Sequence, residues 1–188
     1  MSTEISLSPL SHETVSAALG LARRIFPLDF SSIEKDYRGW LEGPPPVVTP
    51  DGVDTSRTAL FLGVWEGQIV GLTGYYHYVA HPSEGWLEWF GVAPDQRRRG
   101  LGKALLHKTM ETLRHTGART LRLWTTTDSD DSSARLFYDR MGLVAEPFSP
   151  DFPRTLVYSV ALGSSPLVTW EALPDKPPFP ALITASTL

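Results

Sequence analysis

The stretch Val92 to Leu106, VAPDQRRRGLGKALL, constrains this chain more than any other. An apolar run, Trp89-Phe90-Gly91-Val92, leads into the turn Ala93-Pro94-Asp95, then Arg97, Arg98 and Arg99, then Gly100-Leu101-Gly102-Lys103. Leu101 and Leu105, then Leu106, Met110 and Leu113, recur at the spacing of a helix with one wide apolar stripe. The stretch therefore reads as strand, basic glycine-rich turn, helix. The first N–H groups of a helix have no partners inside it, and the helix dipole adds positive potential there. Glycine lets a ligand oxygen approach the backbone with no Cβ in the way. Such a turn suits an anion. A solvated basic turn ahead of an ordinary helix is the other reading that these residues leave open.

Two common phosphate loops do not fit. A Walker-type loop needs glycine where Arg97 stands and Ser or Thr where Ala104 stands. A dinucleotide-binding loop needs a third glycine at the position of Leu105. What remains is Arg97-x-x-Gly100-x-Gly102 after a strand ending in Val92-Ala93-Pro94. This resembles the acyl-CoA pyrophosphate loop of the GNAT superfamily of N-acetyltransferases, Gln/Arg-x-x-Gly-x-Gly/Ala. A second segment, Asp131-x-x-Ala134-x-x-Phe137-Tyr138-x-x-x-Gly142-Leu143, resembles that superfamily's later motif, Asn-x-x-Ala-x-x-Leu/Phe-Tyr-x-x-x-Gly-Phe. It departs from the pattern at Asp131 and Leu143. Asp131 is a poorer neighbour than Asn for an anion, but its carboxylate can cap the helix that follows.

Composition narrows the alternatives. A chain of 188 residues with 41% hydrophobic and 20% charged residues is globular and long enough for one domain with a real core. A net charge of −4 argues against nucleic acid as the main partner and makes the three arginines a local feature. It gives a weak bias toward a cationic substrate. The absence of cysteine excludes disulfides, thiolate catalysis and cysteine metal sites. The polar start and the lack of any apolar run near 18 residues imply no signal peptide and no membrane span, hence a cytoplasmic protein.

Periodicity predicts the order β-α-α-β-β-β-α-β-α-β-β. The first strand is Ile5–Ser8, and a helix capped by Ser11 runs to Pro27. A second, capped by Asp29 or Ser31, ends at Gly43, before Pro44-Pro45-Pro46. Residues 44–57 read as loop. Strands follow at Thr58–Trp65, Gln68–Ala80 and Trp86–Val92, then a helix from Gly100 to His115, closed by Gly117. A strand at Arg119–Thr125 leads to a helix carrying Ala134, Phe137, Tyr138 and Met141 on one face. Leu143–Ala145 and Thr155–Leu162 form a last hairpin. This is an α/β (α+β type) domain with a mixed, mostly antiparallel sheet flanked by helices. It is also the order of the GNAT fold, which assigns residues 1–162 to the acetyltransferase domain. Residues 163–188 read as a Pro-rich extension packed on the domain or on a partner, with Val168-Thr169-Trp170 a possible edge strand. Its apolar residues make it the candidate contact of a homodimer.

The resemblance implies acetyl-CoA as cosubstrate and an amine acceptor; charge and composition add the expectation of no nucleic acid and no metal. Gly91, Val92, Ala93, Arg97, Arg98, Arg99, Gly100, Leu101, Gly102, Lys103, Asp131 and Ala134 would bind the cofactor. The strand ending in Val92 would splay from its neighbour, with Gly91 marking a bulge that leaves backbone groups unpaired. Tyr138 is the candidate general acid toward the leaving thiolate; the alternative is a core tyrosine beside Phe137. Glu88 is the candidate base. Trp86, Glu88 and Phe90 are expected to share a strand face, where a carboxylate between two aromatics would have a raised pKa. A solvent-facing Glu88 and a water chain in place of a dedicated base are the alternatives. His77 and His81 lie along a strand and past its end and do not converge on a metal, which leaves His77 as a substrate-side group. Small-molecule amines are the first acceptor class. Protein N-termini or lysines, and a non-catalytic CoA-binding module, are the competing functions.

Overall fold

Apolar alternation along the strands builds a seven-stranded sheet with both faces covered. The computed structural model describes residues 4–42 and 48–178. The elements are β1 (Ser6–Pro9), α1 (Val15–Ile25), α2 (Phe30–Glu42), β2 (Val53–Trp65), β3 (Gln68–Tyr78), β4 (Glu84–Val92), α3 (Leu101–Arg114), β5 (Thr120–Thr126), α4 (Ser132–Arg140), β6 (Val144–Ser149) and β7 (Phe152–Ala161). The sheet order is β1-β2-β3-β4-β5-β7-β6, antiparallel except for the β4–β5 pair. The predicted element order is the observed one. Gly43, the Pro44–Pro46 break and residues 179–188 lie outside the described residues.

One face of the sheet is covered by α1 and α2. Leu60, Leu62 and Leu72 meet Ala18, Leu19, Ala22, Ile33 and Tyr37 there. The other face carries α3 and α4, with Tyr75, Leu87, Leu121 and Leu123 against Leu106, Leu113 and Tyr138. Within this second layer, Thr109 bonds both the Leu105 carbonyl (2.8 Å) and the Thr73 hydroxyl (2.9 Å), stitching α3 to β3.

Several boundaries differ from the expectation, among them the start of β4, at Glu84 and not at Trp86. β2 starts at Val53, inside the predicted loop, because Val53 and Asp54 pair with Tyr78 and His77 and so satisfy their backbone groups. A bulge between Asp54 and Ala59 absorbs the irregular sequence. The last hairpin is longer than predicted at both strands, and β3 stops at Tyr78. Val168-Thr169-Trp170 forms no strand, because side chains take its backbone groups. Arg122 donates to the Val168 carbonyl (2.8 Å), and Glu146 accepts from Trp170 N–H (2.6 Å).

Residues 163–178 lie on the same sheet face as α1 and α2, at its other end. Trp170, 2% exposed, packs on Trp86, Phe148 and Val157. Beneath it sits a buried ion pair. Arg122 donates through Nε and one terminal nitrogen to both oxygens of Glu84 (2.8 and 2.6 Å), and through the other to Ser159 (2.6 Å).

Candidate active site

The parallel pair β4 and β5 is joined only over Glu84–Trp86 and Thr120–Arg122. Beyond that, β4 runs on to Val92 bonded only to β3, and β5 runs on to Thr126 bonded only to β7. A gap therefore opens through the sheet toward the C-terminal ends of both strands. Each strand hands over there to a helix, β4 to α3 and β5 to α4. Ligands of sheets with parallel strands bind at such ends. Asp29, at the start of α2, lies within electrostatic reach of Asp131 at the start of α4, so the walls approach across the gap.

The β4 edge facing this gap has a defined polarity. Ala93 N–H donates to the Val70 carbonyl (2.8 Å). In an antiparallel ladder this makes Gly71–Val92 the pair without mutual bonds, so the Val92 N–H and C=O point away from β3 into the gap. The Val92 carbonyl accepts from Arg97 Nε (3.1 Å). Arg97 thus folds back on the strand end, while Arg98, Arg99, Gly100 and Lys103 are exposed.

The turn that follows is left-handed at two positions. Arg98 has φ 61° and Gly100 φ 80°, both left-handed. Ala104 N–H makes the first helical bond, to Gly100 O (3.1 Å), so the N–H groups of Leu101, Gly102 and Lys103 are the unpartnered donors of the helix start. Leu101, buried, fixes this end against Leu105 and Val92. A Cβ on Gly102 would sit at ordinary contact distance from Phe137 (3.5 Å) and Val92 (3.9 Å), so packing alone does not demand glycine there.

Gly91 behaves differently from the expectation. The bulge lies at Trp89 and Phe90, which together face Thr73, and Trp89 carries φ 37°. A side chain at Gly91 would run into Ile25, the last residue of α1, and Phe26, which follows it. The bulge also breaks the alternation. Phe90 turns to the α4 side, 5.8 Å from Phe137 and 6.4 Å from Tyr138 between ring centroids. Glu88 stays with Trp86 on the α2 side, against Asp36 and Tyr37. The expected shared face of Trp86, Glu88 and Phe90 does not exist.

Glu88 sits opposite Gly74 of β3 and is only partly accessible. Burial, then the charge of Asp36, pushes its carboxyl up to about 8. Tyr138 is 7% exposed, and no hydrogen bond to another described residue holds its hydroxyl. Burial, then Asp131, then Tyr158 push its phenol above the ordinary value, so it keeps its proton at neutral pH. Ala134 packs beside it, half-buried in the α4 layer. Asp131 does not cap α4 with its side chain. Its carboxylate turns back to the end of β5 and accepts from Thr126 N–H (2.8 Å) and the Thr126 hydroxyl (2.6 Å). The strand end offers two donors in one place; at the start of α4, Ser132 N–H donates to the Ser129 carbonyl (3.1 Å), which leaves Ser133 and Ala134 with the unpartnered N–H groups.

His77 is not on the acceptor side. It is buried on the α3 face, its Nε2 3.2 Å from Thr116, and burial lowers it to about 4. His81 faces the Asp175 carbonyl instead (2.7 Å). Among the described residues no group of three or more His, Asp or Glu is placed to hold a metal ion, and no helix is long and apolar enough to cross a membrane.

Sequence reading missed Asp36 and Tyr37, which face Glu88 from α2 and belong to no motif. Asp36 accepts from Trp89 Nε1 (2.9 Å), tying the bulge to the helix. It also missed the Arg122–Glu84 pair. An arginine between Leu121 and Leu123, inside a strand, was the available signal.

The family model described as "Acetyltransferase (GNAT) family" matches residues 23–143. A GNAT-family acetyltransferase structure from Desulfovibrio desulfuricans aligns with TM-score 0.70 at 19% identity, covering 85% of this chain and 99% of that one. The ribosomal-protein-S18-alanine N-acetyltransferase of Escherichia coli aligns with TM-score 0.62 at 20% identity, covering 86% and 96%. The PaiA N-acetyltransferase of Thermoplasma acidophilum, in complex with coenzyme A, aligns with TM-score 0.60 at 15% identity, covering 86% and 99%. No curated protein matches. At these identities the structural matches establish a shared fold, and the family model, spanning the Arg-Gly turn and the Tyr138 helix, goes further: the chain belongs to the GNAT acetyltransferase family.

Proposed function

We propose that this chain transfers an acetyl group from acetyl-CoA to a primary amine of a small molecule, by direct attack with both substrates bound. The observation that carries this reading is the β4–β5 gap, whose unpaired strand edge ends at the Arg-Gly turn. The coenzyme A bound by the Thermoplasma neighbour supports it. The residues present fit that cosubstrate. Unpartnered N–H groups at Leu101, Gly102 and Lys103, with Arg98 and Arg99, make a cradle for a pyrophosphate. Gly91, Val92 and Ala93 offer a strand edge to an extended amide-bearing arm. Asp131 and Ala134 line the opposite wall.

Acetyl-CoA supplies a thioester, an acyl group with a thiolate as leaving group. The chain's own groups do the rest. Val92 N–H, aimed into the gap, is placed to polarise a carbonyl. Tyr138 donates its phenolic hydrogen toward the departing sulfur. Its raised pKa favours a strong hydrogen bond over full proton transfer, because a thiolate of pKa about 8.5 is the weaker base. Glu88 takes the proton of the attacking amine, directly or through water. A protein N-terminus or lysine is the second acceptor class, favoured by the Escherichia coli neighbour, whose name gives a ribosomal-protein alanine as its acceptor.

A thiol-release screen of small amines and free-N-terminus peptides with acetyl-CoA tests this. Turnover with at least one small amine is expected. Tight coenzyme A binding with no turnover across the panel would replace the enzyme by a CoA-binding module without catalysis.

A further inference from the structure

The α2 wall of the gap carries more polar chemistry than the fold needs. Asp36 has one protein hydrogen bond among the described residues, from Trp89 Nε1 at 2.9 Å, and is only partly accessible. Tyr37, 1% exposed, has a hydroxyl with no partner, and it faces both Glu88 and Asp36. Trp86 Nε1, on a residue 2% exposed, has no partner either. Buried polar atoms in native proteins find partners, so the Tyr37 hydroxyl left open beside two carboxyl groups marks a place for a ligand. Tyr76 and Tyr78 of β3 lie within electrostatic reach of Glu88, and Asp51 lies within reach of both tyrosines. Trp89, the bulged residue in a strained backbone conformation, holds Asp36 in position.

The arginines nearest this wall in sequence are engaged elsewhere, Arg38 with Glu34 at 2.9 Å. Arg23 lies over the Phe30 ring at 4.3 Å, and Arg24 pairs with Asp95 at 2.6 Å. Lys35 acts on Asp36 only through its field. Apart from exposed Lys35, the wall therefore offers carboxylates and ring faces to a cation, and its buried side chains offer no cation to a substrate carboxylate. Its rear is closed by the C-terminal segment. Trp170 packs edge-on against Trp86 at 5.8 Å, and Tyr78 donates to the Pro178 carbonyl (3.2 Å). The Desulfovibrio structure is covered over 99% of its length but leaves about 15% of this chain unmatched, a share the size of the segment after Leu162.

We infer that this wall is the acceptor site, and that it takes a small amine which arrives as an ammonium and carries no carboxylate beside it, docking between Asp36 and Glu88. The inference rests on the acetyltransferase reading above. On docking, the ammonium gives one proton to the ionised form of Glu88, which leaves a neutral amine and a protonated carboxyl; after attack the nitrogen's second proton goes to the departing thiolate, which leaves as the free thiol. Asp36 stays ionised and holds the acceptor in place, as a positioning residue.

The test uses the full chain, acetyl-CoA, and two acceptors that differ by one carboxylate, cadaverine and lysine. Wild-type kcat/KM is expected to be at least tenfold higher for cadaverine. In Asp36→Asn the KM for cadaverine should rise about tenfold while kcat changes less than threefold, and the cadaverine preference should shrink. The pH midpoint of kcat/KM should also move down, because the Asp36 charge helps to hold the Glu88 carboxyl up; Tyr37, Tyr76 and Tyr78, the other groups facing it, are unchanged. Lysine used as well as cadaverine by the wild type, which needs no variant, overturns the inference. So does an unchanged KM in Asp36→Asn, or a free-N-terminus peptide preferred to cadaverine. Thiol release with any acceptor keeps the acetyltransferase reading alive in each of these cases, so the two failures are distinguishable.

Discussion

Glu88 and Phe90 stand two residues apart on one strand and face opposite sides of the sheet, because Trp89 between them takes φ 37°. A regular strand would put both on one face. The bulge sends Phe90 to Phe137 and Tyr138 and leaves Glu88 with Asp36 and Tyr37. One backbone irregularity thus puts the proposed acid and the proposed base on opposite faces of the sheet.

The base side predicts a pH profile. A base works ionised, and the Glu88 carboxyl is raised to about 8. Hence kcat/KM should rise with pH through a midpoint near 8. In Glu88→Gln that limb should vanish, with kcat lowered roughly 100-fold, the low end of what a positioned base contributes. A full-activity Glu88→Gln enzyme would point to a water chain with no dedicated base.

The same carboxyl predicts a stability effect of defined sign. Its pKa rises from 4.5 in the unfolded chain to about 8 in the fold, so the native state binds more protons between those values. Stability therefore falls as pH rises across that window. The gap bounds the loss at roughly 5 kcal/mol, at about 1.4 kcal/mol per unit. Half of that or less is expected, since Glu88 keeps some contact with solvent. Urea denaturation at pH 5 and pH 9 should show Glu88→Gln gaining on wild type only at pH 9.

On the acid side, Tyr138→Phe removes a hydroxyl that no described residue bonds, so the fold should hold within about 1 kcal/mol. The expected result is a kcat lowered 10- to 100-fold with the acetyl-CoA KM little changed. Equal rates in the two proteins would return Tyr138 to the role of a core aromatic.

The Arg-Gly turn can be tested with strain and charge separated. Gly100 has φ 80°, so Gly100→Ala carries a backbone cost of roughly 1 kcal/mol. Gly100→Glu adds a negative charge beside Arg98 and Arg99. Calorimetry should show coenzyme A affinity at least tenfold weaker in Gly100→Glu than in Gly100→Ala. Equal affinities would remove the pyrophosphate from this turn.

Arg122 and Glu84 form the buried pair on which the C-terminal segment rests. Arg122→Met should destabilise by about 3–5 kcal/mol, since it leaves a buried carboxylate without its partner. Adding Glu84→Leu should recover much of that loss. Chemical denaturation of the two single variants and the double variant measures the coupling.

Much of this was legible in the chain because it is local. The strand-turn-helix of Val92–Leu106 needs only apolar spacing, a proline and two glycines, and the structure keeps it within a residue. The Tyr138 helix is local in the same way. Asp131 shows where such reading ends. Its place before a helix predicts a cap, but the strand end at Thr126 offers two donors that only folding brings within reach. His77 fails for the same reason, since Thr116 and the α3 layer decide which face of β3 is closed.

By itself the sequence determined the order of elements, the turn that ends β4 and the helix that carries Tyr138, because each depends on residues a few positions apart. The tertiary structure alone decided the bulge at Trp89, the approach of the Asp36 charge to Glu88 across α2 and β4, and the Arg122 anchor under Trp170. Those depend on how the backbone groups of distant strands are satisfied and on which charges are buried together. A side chain's neighbours across a sheet are set by register, and one bulged residue changes them all.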